Sequence, residues 1–163
     1  MIADAVGIRQ ASLYHYFSNK DDILAALLET TVVTPLARAR ELLTDDGPPL
    51  HRLLDLARFD AQQLVATRWN LGSLYLLPEI ADDRYTQFRS ARAELAQAYE
   101  TLTAEALGDP TDTRKLLPFR LVESIIMMRS DDERGELGNH TVAGLIDTII
   151  SAIEMLIEHH PQK

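Results

Sequence analysis

Several features that would point to particular classes of protein are missing from this 163-residue chain. It contains no cysteine, which excludes structural disulfides, thiolate metal sites and cysteine nucleophiles and fits a reducing cytoplasm. No uninterrupted apolar run approaches the roughly 20 residues that a membrane helix needs. Asp4 and Arg9 interrupt any apolar stretch that could serve as a signal peptide. We therefore expect a soluble protein in the cytoplasm, without a membrane partner.

Recognisable catalytic motifs are also lacking. The sequence has no phosphate-binding loop, no nucleophile elbow and no Glu-x-x-His pair of the kind found in di-iron helix bundles. His159 and His160 lie together near the end of the chain, with no acid or third histidine placed to complete a metal site. We predict that the protein is not an enzyme and holds neither a cofactor nor a metal.

Negative charge prevails, but it is unevenly distributed. The formal net charge is −9, which by itself disfavours nucleic acid. Residues 1–20, however, carry Asp4 against Arg9 and Lys20, a net of +1. A weakly basic tip on an acidic body is compatible with a small DNA-reading head on a larger domain.

Apolar residues recur at helical spacing, and convincing strand alternation is absent. The predicted fold is all-α. A proline at 35 is expected to kink the first long helix, and the run Asp45-Asp46-Gly47-Pro48-Pro49 to end it. The acidic run at 131–136 is interpreted as a solvated loop. The predicted helices cover about 19–43, 50–67, 69–76, 83–107, 113–129 and 139–159.

The first 17 residues have the pattern of a helix, a glycine turn and a second helix. Gly7 permits the left-handed backbone that ends the first helix. Leu13 and Phe17 are four residues apart and share one face, which we expect to be buried. Small and polar side chains then occupy the outer face, as in a helix-turn-helix with an outward recognition helix. A plain solvated helix surface is the alternative.

The pattern is similar in order and spacing to the signature of the TetR family of regulators. The residues that carry this resemblance are Ile2-Ala3, Gly7-Ile8, the run Leu13-Tyr14-His15-Tyr16-Phe17, and Asn19-Lys20-Asp21-Asp22-Ile23-Leu24. The resemblance implies a repressor that a small ligand releases from a palindromic operator. It implies base contacts from Arg9, Gln10 and Ala11, with phosphate contacts from Tyr14, Tyr16 and Lys20. Ser12 and His15 complete the expected DNA-binding face.

Compared with the family pattern, the chain begins inside the second helix of the head. We therefore expect the first helix to be missing and these 163 residues to bind DNA poorly by themselves. The alternative is a helical ligand-binding dimer that does not bind DNA alone.

The resemblance also divides the chain into a partial head at residues 1–28 and a ligand-binding and dimerisation domain at 29–163. Helices 19–43, 50–67 and 83–107 are expected to enclose a pocket lined by some of Phe59, Trp69, Tyr75 and Tyr99, although plain core aromatics are the alternative. Charged residues that could anchor a ligand, but are more readily explained as surface groups, are Arg58, Arg68, Arg120 and Glu123.

The two most apolar helices, 113–129 and 139–159, have stripes wider than one core face requires. We expect them to form a four-helix seam between two subunits. The predicted centre of this interface consists of Ile125, Ile146, Ile149, Ile150 and Ile153.

Overall fold

The computed structural model describes residues 20–66 and 70–159, and the regular secondary structure in these ranges is all helical, without a strand. The all-α prediction is confirmed. Five α-helices form the body. They are α1 (Lys20–Leu43), α2 (Pro49–Ala66), α3 (Thr86–Leu107), α4 (Leu117–Glu133) and α5 (Val142–Glu158). Short 3₁₀ helices connect them at Leu71–Leu76, Pro78–Ala81, Asp83–Tyr85 and Thr113–Leu116.

The first helix has acids at its start, where the helix dipole favours negative charge. Asp21 and Asp22 occupy this turn, while the predicted cap Asn19 lies outside the described residues. The helix continues through the buried Pro35. It ends at Leu43, and α2 begins at Pro49, where a missing amide hydrogen costs nothing. The predicted break between the two helices is confirmed.

Arg52 holds the corner between α1 and α2. Its guanidinium donates to the carbonyl oxygens of Gly47 at 2.9 Å and Leu42 at 3.1 Å. The same group reaches Glu105 of α3 at 2.6 Å, and the Arg52 side chain is only 10% exposed. One side chain thus joins the loop to two helices.

The later helices have well-defined ends. Gly108 follows α3 with a left-handed φ of 67°, a conformation that favours glycine. The Thr141 hydroxyl caps α5 by accepting a hydrogen bond from the Gly144 amide at 3.2 Å. Sequence patterns located these boundaries to within a few residues.

The acidic run after residue 130 corrects one prediction. Asp131, Asp132 and Glu133 form the last turn of α4, so the helix continues beyond residue 129 and only Glu136 of the run lies past its end. Arg134 pairs with both Asp131 and Glu136, which compensates part of this negative charge. The chain then turns at Gly135, whose φ is 73°.

Two hydrophobic clusters hold the helices together. The larger one joins all five helices and includes Leu53, Leu56, Tyr99 and Leu102, each fully buried. The smaller one joins α1 to the segment before α3 and to the start of that helix. Its buried members are Leu28, Val32, Ile80, Tyr85 and Phe88.

The predicted centre of the subunit interface is wrong. All five of its isoleucines are buried within a single chain, with Ile125 and Ile153 at 0% exposure. They belong to the larger cluster, so the wide apolar stripes are covered by this chain's own helices. Exposed apolar side chains lie elsewhere in these segments: Leu116, Leu117, Met127 and Met155.

Within the described ranges, no helix has the length and apolar character to cross a bilayer.

Candidate ligand-binding core

A pair of buried polar side chains connects α2 to α3 in the middle of the body. The Tyr99 hydroxyl donates to Asp60 Oδ2 at 3.0 Å and also lies 3.4 Å from the Leu56 carbonyl oxygen. Asp60 is 4% exposed and Tyr99 is fully buried. Among the described residues, no arginine, lysine or histidine forms an ion pair with Asp60.

The protonation of Asp60 follows from this environment. Burial raises the pKa of Asp60 from its ordinary value of 3.8 to about 7, and the negative charge of Glu123 adds to the rise. The hydrogen bond from Tyr99 opposes it, because it favours the ionised carboxylate. Burial also raises the pKa of Tyr99, so its hydroxyl stays neutral. The carboxyl of Asp60 is therefore largely protonated in mildly acidic solution.

A second polar pair joins α3 to α4. Arg92 donates two hydrogen bonds to Glu123, from Nε at 2.7 Å and from Nη2 at 2.6 Å. Arg120 donates a third from Nη1 at 2.8 Å. The Glu123 side chain is 15% exposed, whereas that of Arg120 is 62% exposed. Two arginines thus compensate one carboxylate.

Aromatic rings surround the Arg92 guanidinium. It lies 5.7 Å from the ring centre of Tyr75 and 5.4 Å from that of Phe119. The face of an aromatic ring attracts a cation at these distances. The Phe119 ring also lies 5.4 Å from that of Tyr99. Phe119 therefore contacts one member of each polar pair, Arg92 and Tyr99.

Tyr75 connects this region to α1. Its hydroxyl forms a hydrogen bond with Thr31, and its ring centre lies 4.9 Å from that of Phe88. Burial raises the pKa of Tyr75 to about 12. Tyr75 thus brings the Leu71–Leu76 segment against both α1 and α3.

Comparisons with known proteins agree on the family of this chain. Residues 1–27 match the family model of bacterial regulatory proteins, tetR family. A crystal structure of Mycobacterium smegmatis AmtR superposes with a TM-score of 0.81 at 46% sequence identity, covering 98% of this chain and 75% of that protein. The chain belongs to the TetR family.

A second relative is similar to this chain in amino-acid sequence. The HTH-type transcriptional repressor KstR2 of Mycobacterium tuberculosis is 39% identical over 62 residues in each of two strains, CDC 1551 / Oshkosh and ATCC 25618 / H37Rv. The match covers 37% of this TetR-family chain and 31% of the repressor.

The structure places two of the four predicted pocket residues near the polar pairs. Tyr75 packs against Phe88 and Tyr99 packs against Phe119, and the Arg92 guanidinium lies over the rings of Tyr75 and Phe119. Phe59 is partly buried on α2, next in sequence to Asp60. Trp69 lies outside the described residues. That these residues contact a ligand stays a prediction.

The residues predicted to contact DNA lie almost entirely outside the part of the chain that the structure describes. Arg9, Gln10, Ala11, Ser12, Tyr14, His15 and Tyr16 lie outside the described residues, as does the side chain of Lys20. The backbone of Lys20 forms the first residue of α1. In this TetR-family chain, the predicted phosphate contact would therefore stand at the N-terminus of the longest helix of the body.

The charged residues predicted as possible ligand anchors differ in their surroundings. Arg58 pairs with Asp147 at 2.6 Å, with both side chains substantially exposed. Glu123 instead faces the interior and binds Arg92. Asp60 and Arg92 were missed, although Asp60 interrupts the buried stripe of Leu53, Leu56 and Ala57 on α2. The position of Asp60 on the apolar face of α2 is the sequence feature that could have indicated a buried polar site. No cluster of metal-binding side chains occurs in residues 20–66 and 70–159.

Proposed function

We propose that this chain is a DNA-binding transcriptional repressor that a small molecule releases from a palindromic operator. The observation that carries the proposal is the match of residues 1–27 to the TetR family model, together with the AmtR likeness over nearly the whole chain. The curated relative is itself named a transcriptional repressor. This activity would take place in the cytoplasm, where the operator lies.

The proposed DNA contacts divide into two classes. Base edges are read by the start of the recognition helix, at Arg9, Gln10 and Ala11. Ser12 and His15 lie on the same face. Backbone phosphates are held by Tyr14, Tyr16 and Lys20, and the free amides at a helix start support an anion next to Lys20.

A palindromic operator requires a two-fold dimer, which we place on the outer faces of α4 and α5. Met127 is 49% exposed and Leu117 44% exposed on α4, and Met155 is 63% exposed on α5. Methionine is enriched at protein interfaces, which supports this placement for Met127 and Met155. The buried isoleucines of α4 and α5 belong to the core and would support the interface without contacting the partner.

The two parts of the chain have different proposed roles. We assign DNA reading to residues 1–28 and ligand binding with dimerisation to residues 29–163. The buried pairs Asp60–Tyr99 and Arg92–Glu123 support a ligand site in the second part, because polar groups at the centre of a helical body provide specific hydrogen-bonding partners.

The test is a gel-shift titration of the full-length protein on the intergenic DNA beside its gene, over a salt series. Lys20→Ala should weaken binding to all sequences alike and flatten the salt dependence by about one unit of slope. Gln10→Ala should instead change sequence preference. Lys115→Ala removes a lysine from the body, and we expect it to leave both properties unchanged. Absence of sequence-specific binding by a folded dimer would overturn the proposal.

A further inference from the structure

The buried polar groups of the body are unequal in charge. Asp60 and Glu123 contribute two carboxyl groups, and Arg92 is paired with Glu123, whereas the partly buried Arg129 donates to the Leu64 carbonyl oxygen. Glu123 binds both Arg92 and the exposed Arg120. Asp60 is left with a neutral hydroxyl as its hydrogen-bond partner. A buried carboxyl with that partner alone is stable when neutral, or when a cation lies beside it.

The surroundings of Asp60 suit a positive charge. The rings of Tyr99 and Phe119 lie beside each other, and the rings of Tyr75 and Phe119 already hold the guanidinium of Arg92. Aromatic faces and carboxylates are the groups with which proteins recognise organic cations. An anion beside Asp60 would meet a carboxyl group that has no paired cation among the described residues.

A row of charged side chains between α3 and α4 reaches the surface. The side chains of Glu123, Arg92 and Arg120 are 15%, 30% and 62% exposed, so the row becomes more open between α3 and α4. A ligand entering along this row meets charged groups that can exchange partners with water or ligand.

We propose that the effector of this regulator is a small organic cation, such as a primary amine, whose charged end pairs with Asp60. The inference rests on the proposed function, since it names the class of effector. The amine donates to the Asp60 carboxylate. The Tyr99 hydroxyl keeps a partner by donating to the Leu56 carbonyl oxygen, which lies 3.4 Å away.

The experiment measures thermal unfolding of the full-length protein with three probes of equal length: butylamine, n-butanol and butyrate. Phenethylamine serves as a larger amine. The amines should raise the melting temperature in a concentration-dependent manner, whereas the alcohol and the carboxylate should not. Equal stabilisation by n-butanol, or no stabilisation by either amine, would overturn the inference.

Variants then locate the site. Asp60→Asn should reduce amine affinity at least about tenfold, which corresponds to the loss of one charge-assisted hydrogen bond. Asp147→Asn removes an exposed carboxyl and should leave amine affinity unchanged. If Asp60→Asn does not fold, Asp60→Ser provides the same removal of charge with a smaller side chain. Unchanged amine affinity in either folded Asp60 variant would refute the assignment.

A parallel gel shift separates this inference from the proposed function. Operator binding that is present but indifferent to amines contradicts the effector class alone. Absence of operator binding under every condition contradicts the proposed function itself. Release of the operator by amines in the wild-type protein, but not in Asp60→Asn, would support both.

Discussion

Replacing Asp60 by asparagine should change how the stability of the protein depends on pH. An acid whose pKa is higher in the folded than in the unfolded protein binds its proton more tightly when folded. Its contribution to stability is therefore complete at acidic pH and is lost as the pH rises towards the folded pKa. The asparagine side chain cannot ionise, so the variant lacks this loss.

The size of this stability loss follows from the raised pKa of the Asp60 carboxyl. A pKa raised from 3.8 to about 7 corresponds to about 4 kcal/mol of stability lost between acidic and neutral solution. About 3 kcal/mol of this loss falls between about pH 5 and about pH 8, at about 1.4 kcal/mol per pH unit until the folded pKa is reached.

The assay is urea unfolding of the wild type and Asp60→Asn at several pH values. Other acids, including Glu94 beside Arg40, have a lowered pKa and make stability rise with pH, but they are common to both proteins and cancel in the difference. The exposed Asp147→Asn serves as a control and should follow the wild type. Parallel stability curves for the wild type and Asp60→Asn would refute the claim that Asp60 is buried as a neutral acid.

Three further changes test the packing and the helix ends by denaturant unfolding. Ile153→Ala should lower the free energy of unfolding by about 2–5 kcal/mol, because Ile153 is fully buried. The control Ser151→Ala changes an exposed residue and should alter it by no more than about 0.5 kcal/mol. Equal effects would contradict the assigned core face of α5. Thr141→Ala should cost about 1 kcal/mol through loss of the cap on α5, and no loss would argue against that hydrogen bond. Gly108→Ala should cost about 1 kcal/mol because of its φ of 67°, and a stabilised variant would disprove the strain.

Helical periodicity predicted the order and approximate bounds of the helices because each one has an apolar face of its own. It did not show which partner covers each face. The isoleucines of α4 and α5 were assigned to a second subunit, but α2 and the neighbouring helices cover them. The end of α4 was also misplaced, because its acidic last turn is compensated by Arg134, a contact that composition alone does not show.

The candidate site was only partly predictable for a related reason. Tyr75 and Tyr99 could be selected as large aromatics of the body, and both lie in the polar region. The sequence alone does not single out Asp60, because an acid is usually at the surface. The Arg92–Glu123 pair depends on the packing of α3 against α4, and no local pattern reveals such a contact. The buried polar contacts could therefore be identified only from the packed helices.

The contacts of Arg52 at the corner between α1 and α2 should respond weakly to added salt. Exposed pairs such as Arg40–Glu94, with side chains 61% and 50% exposed, are weakened when dissolved ions screen their charges. Arg52 is 10% exposed and also binds two backbone carbonyl oxygens, so dissolved ions approach it poorly. The joint between α1 and α2 should thus persist at ionic strengths that loosen surface pairs.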